Sequence, residues 1–88
     1  MIINLLRFLD EPDFVTCHLS VQVPESNGNG FVTNGFAQRM AAQAADAAAA
    51  RVAGHGYVSA ALCLRFKEEM LRELTLLIPG ARVNLVPP

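Results

Sequence analysis

Residues 56–66, GYVSAALCLRF, decide between two folds. Val58, Ala60, Leu62, Leu64 and Phe66 alternate with Tyr57, Ser59, Ala61, Cys63 and Arg65, which is the period of a strand with one buried face. The same stretch also fits the opening of a helix from Ser59 to Ile78, because Leu62, Phe66, Met70, Leu74 and Leu77 keep three-to-four spacing and no turn residue separates Phe66 from Lys67. The alternation is read here as a strand. Lys67–Ile78 is helical on either reading, with Met70, Leu71, Leu74, Leu77 and Ile78 inward and Arg72 and Glu73 exposed, and Pro79-Gly80 stops it. Ala81–Val86 alternates well enough for a last strand, which Pro87-Pro88 prevents from continuing.

Working back toward the start, Gly54 closes a helix that begins near Gly35 or Phe36, with Thr33 or Asn34 placed to accept its first free amides. Ten alanines between Ala37 and Ala53 give this helix high intrinsic propensity. Phe36, Met40, Ala44 and Ala47 share one side, while Arg39, Gln43 and Asp46 form a narrow polar strip; the remaining arc is almost all alanine. So wide an arc of small side chains permits a second helix or a partner chain to approach closely. Before the helix, residues 24–35 read PESNGNGFVTNG, where three Asn-Gly pairs and a proline predict a flexible loop.

Two strands precede that loop. Val15, Cys17, Leu19, Val21 and Val23 alternate with Thr16, His18, Ser20 and Gln22, and residues 2–9, IINLLRFL, read as an apolar strand. The short acidic connection Asp10–Asp13 makes an antiparallel hairpin the natural pairing. The predicted order is strand, strand, helix, strand, helix, strand. This is an α+β fold: a small two-layer sandwich whose three- to four-stranded, mostly antiparallel sheet carries two helices on one face, in a single domain spanning residues 1–88.

Composition sets the outer bounds. Eighty-eight residues make one small core, and 52% apolar with 17% charged residues excludes the disordered class. Seven basic against eight acidic residues leave a net charge of -1, too little field to gather phosphate backbones. Arg7 interrupts the apolar start and acidic residues follow it, so an export signal is not expected and a cytoplasmic setting is. Cys17 and Cys63 form no C-x-x-C pair and are expected as buried thiols.

The chemistry-bearing motifs are incomplete. Gly30 to Gly35 has the spacing of a phosphate-binding Walker loop, but Phe36-Ala37 stands where lysine and a hydroxyl residue are needed. His18 lies on a polar strand face and His55 in a Gly-His-Gly turn, and neither has a carboxylate or thiol that the sequence places beside it. No enzymatic activity, metal or cofactor is expected. What remains is the sheet face turned away from the helices, expected to show Thr16, His18, Ser20, Gln22, Tyr57, Ser59, Arg65, Arg82 and Asn84. Tyrosine and arginine are residue types that carry protein-binding energy. The expected role is a non-catalytic protein-binding module, homodimeric, with the open sheet face and the alanine-rich helix as contact surfaces. The alternative is a single-stranded nucleic-acid platform, which a lone tyrosine without further aromatics supports poorly. A chain this short without catalytic motifs also fits small inhibitors such as the phage-encoded anti-CRISPR proteins, a comparison of size and missing motifs only.

Overall fold

The computed structural model describes residues 1–10, 14–24 and 32–87. It is an α+β fold in which a three-stranded antiparallel sheet carries two helices, in the order β1 (Ile2–Leu9), β2 (Val15–Gln22), α1 (Asn34–Val52), α2 (Ser59–Leu77) and β3 (Arg82–Leu85). The hairpin forms as expected, pairing Ile2 with Gln22 at one end and Leu9 with Val15 at the other. β2 is central, and β3 returns antiparallel along its far edge, Leu19 opposite Leu85 and Gln22 opposite Arg82. The period-two pattern of β2 becomes its burial: Cys17, Leu19, Val21 and Val23 enter the core, while Thr16, His18 and Gln22 stay in solvent.

The expected strand over residues 56–66 is not there, and the order is β-β-α-α-β. Gly54 and Gly56 both take left-handed backbone, φ +73° and +70°, and turn the chain between the helices. From Ser59 onward nothing breaks helix until Pro79. Leu62, Phe66, Met70 and Leu74, each four residues apart, form one buried stripe. Val58 and Leu64, which a strand would have buried with Leu62, are 74% and 45% exposed. A separate strand would have needed a turn at Phe66-Lys67, and the residues there offer none.

α1 starts at Asn34, one residue ahead of expectation, with the Thr33 hydroxyl accepting the Phe36 N–H at 3.1 Å. Asn34 and Gly35, read as loop, are therefore helical, and residues 25–31 of that loop lie outside the described residues. The buried stripe of α1 is Ala37, Ala41, Ala44, Ala45, Ala48 and Val52, packed against the bulkier stripe of α2. Small side chains facing large ones let the two helices share a core, where each large apolar residue buried contributes about 1.5–3 kcal/mol. The alanine arc expected as a contact surface for another chain is thus largely covered by α2, which removes it as a candidate. Phe36, placed on the same side as Ala44 by the projection, keeps 37% exposure.

Charges tie the layers at their rims. Arg51 on α1 meets Glu73 of α2 at 2.5 Å and Glu69 at 3.5 Å. Arg7 of β1 pairs with Asp46 of α1. The exposed Arg7–Asp46 pair contributes little, about 0–1 kcal/mol, whereas Glu69 is buried and needs its arginine neighbours to offset the cost of a desolvated charge. The stronger tie is covalent. Cys17 and Cys63, expected as thiols, are joined as a disulfide between β2 and α2. The inward-facing Cys17 meets Cys63 only because residue 63 lies on a helix crossing the sheet, which brings their Cα atoms to 5.4 Å across a sequence separation of 46. Disulfides persist in oxidising surroundings more readily than in the cytosol, so the bond weighs on the expected cytoplasmic setting. No helix among the described residues is long and apolar enough to cross a membrane.

Candidate binding face

The sheet has one face under the helices and one open, and the register orders the open side into cross-strand rows. Ile2, Gln22 and Arg82 make the first row; Asn4, Ser20 and Asn84 the second; Leu6 and His18 the third; Phe8 and Thr16 the fourth. The Val86 N–H donates to the His18 carbonyl at 2.8 Å and extends the third row. Six residues expected on this face are therefore brought together: Thr16, His18, Ser20, Gln22, Arg82 and Asn84.

Three others are not on it, because α2 replaces the expected strand. Tyr57 precedes α2 and stacks on His55, ring centroids 5.7 Å apart, at the turn between the helices. Arg65 is on the exposed side of α2, bonded to Glu68 at 3.0 Å; the Tyr57 hydroxyl first and Glu68 second raise its pKa above the ordinary guanidinium value. Ser59 opens α2 and lies on the far bank of a groove that His18 enters from the sheet. That groove, about 770 Å³, runs past the disulfide and is walled by Leu6, Phe14, Leu85, Val86 and Pro87.

Sequence reasoning missed the apolar part of the face. Ile2, Leu6, Phe8 and Phe14 are 65%, 52%, 60% and 64% exposed, and Phe8 and Phe14 meet edge to face at 6.3 Å. Leu6 and Phe8 share this end with Thr16 and His18, while at the opposite end Gln22, Arg82 and Asn84 leave Ile2 as the one exposed apolar side chain of its row. The signal was the even-numbered positions of β1. It was hidden because Ile3, Leu5 and Leu9 on the other face are equally apolar.

The face offers shape, apolar area and hydrogen-bonding groups to a partner. Both cysteines are held in the disulfide, and among the described residues no three His, Cys, Asp or Glu side chains gather as they would around a metal ion. Comparison with protein-family models, with curated proteins and with solved structures returned no match to this chain.

Proposed function

We propose that this chain is a non-catalytic protein-binding module that works as a homodimer and engages its partner through the open sheet face. The observation supporting this is the groove beside His18, with its Leu6, Phe14, Leu85 and Val86 walls continuous with the exposed Phe8. Interfaces gain most where an apolar anchor enters such a recess inside a polar rim. Thr16, Ser20, Gln22 and Asn84 supply that rim, so the fitting partner is a protein offering an apolar side chain flanked by hydrogen-bonding groups. An inhibitor that blocks a larger complex is one form of this role, supported by size and the missing catalytic motifs.

Affinity capture from the native host with the wild type, followed by titration of the purified captured protein, tests the proposal. Phe14→Ser with His18→Ala is expected to weaken that binding at least about tenfold, or about 1.4 kcal/mol, with the melting temperature unchanged. Unchanged affinity in the double variant would overturn the assignment of this face. Tight, steeply salt-dependent binding of single-stranded RNA or DNA in place of protein would overturn the partner class.

A further inference from the structure

The sheet has two edges of opposite character. β3 offers only Arg82–Leu85, soon followed by Pro87, and it lies against α2. β1 offers eight residues with no proline or glycine and a single charge, Arg7, directed inward to Asp46. Native proteins protect a long apolar edge or use it. We propose that β1 is used, as a homodimerisation edge: two copies pair β1 with β1 antiparallel about Leu5, joining their sheets into one of six strands. This rests on the reading above for the homodimer and specifies how it forms.

The hydrogen-bond phase fixes the register. Met1 and Val23 exchange both backbone bonds, at 3.2 and 2.9 Å. In an antiparallel ladder such pairs alternate, so the odd residues Ile3, Leu5, Arg7 and Leu9 direct their amides and carbonyls to β2, and Ile2, Asn4, Leu6 and Phe8 direct theirs outward. One two-fold register satisfies all of these outward groups. Ile2 stands opposite the partner's Phe8 and Asn4 opposite the partner's Leu6, giving about eight new backbone bonds, two for each bonded pair. Leu5 meets the partner's Leu5 on the axis.

The side chains agree with that register. At each end of the seam, Ile2 of one copy covers the partner's Phe8, on which the partner's Phe14 already stands. At about 200 Å² for a large apolar side chain, the open parts of Ile2, Leu6 and Phe8 come to at most roughly 350 Å² per copy. About 700 Å² for the pair, joined by the backbone bonds of the edge, is the size of a weak, concentration-dependent association. The two Arg7 side chains fall four residue steps apart, about 13 Å, farther than the ~8–10 Å over which salt leaves surface charges interacting. Because the β3 edge is short and closed by Pro87, the contact closes after two copies and does not propagate.

Sedimentation and amide hydrogen exchange across a concentration series test this. The expected result is a species of twice the 9.5 kDa chain mass, in which the Asn4, Leu6 and Phe8 amides are protected at high concentration and exchange freely on dilution. The Ile3, Leu5 and Arg7 amides are expected to stay protected throughout. Asn4→Pro removes an outward N–H without touching the β1–β2 ladder and is expected to weaken the dimer at least about tenfold. Should proline unfold the hairpin, Leu6→Lys, a surface change at the same seam, serves instead with the same expected loss. A mass of one chain at every concentration up to about 1 mM, or a dimer whose even-numbered amides remain unprotected, would overturn the pairing. Partner binding through His18 and Phe14 is read separately, so either result leaves the proposed binding face standing or falling on its own titration.

Discussion

Along β2 the two faces of one strand do different work. Cys17, Leu19 and Val21 are buried under the helices, whereas Thr16, His18 and Gln22, one residue away in each case, are left in water. The backbone and the hydrogen-bond ladder are common to both, so the contrast comes from side chains and from what covers them. The covered face is where substitutions remove buried apolar area and leave cavities. Substitutions on the open face remove little buried area, so that face is available for recognition.

The sharpest way to break that contrast is Phe66→Ala, which empties the largest fully buried position and is expected to lower stability by about 3–5 kcal/mol. Urea unfolding measures it, and a loss under about 1 kcal/mol would mean the helical layer is not the core. Next in size is the disulfide. Reduction, or Cys17→Ser with Cys63→Ser, is expected to cost about 2–4 kcal/mol and to lower the melting temperature by on the order of 10 °C or more. A melt unchanged by reductant would show that β2 and α2 hold together without it. At the small end, Gln22→Ala and Asn84→Ala on the open face are expected to stay within about 0.5 kcal/mol of the wild type. A larger loss in either would make that face structural and erase the distinction.

How much of this could be read in advance differed by element. β2 was legible because its alternation is nearly strict, and α1 because alanine propensity and Thr33 and Gly54 at its ends agree. Residues 56–66 were misread because two periods coexist there: Leu62 and Phe66 belong to both, and only the environment of Val58 and Leu64 separates them. The strand reading carried Tyr57, Ser59 and Arg65 onto the wrong surface. The disulfide was invisible for a related reason, since Cys63 reaches Cys17 only when its segment is a helix over the sheet. Leu6, Phe8 and Phe14 were missed because β1 is apolar on both sides, and pairing alone decides which side is left open.

The middle position of β2 has a consequence for how the chain matures. Its first neighbour, β1, is made immediately before it, but its second neighbour is synthesised much later, since Arg82 emerges roughly sixty residues after the Gln22 it pairs with. Throughout that interval the nascent hairpin carries an unfilled ladder on one flank and an uncovered Cys17, so completing the domain must wait for its most distant segment to arrive. Pairing β3 with β2 is thus a closure across about sixty residues, the kind of long-range contact whose entropy cost slows the folding of small domains.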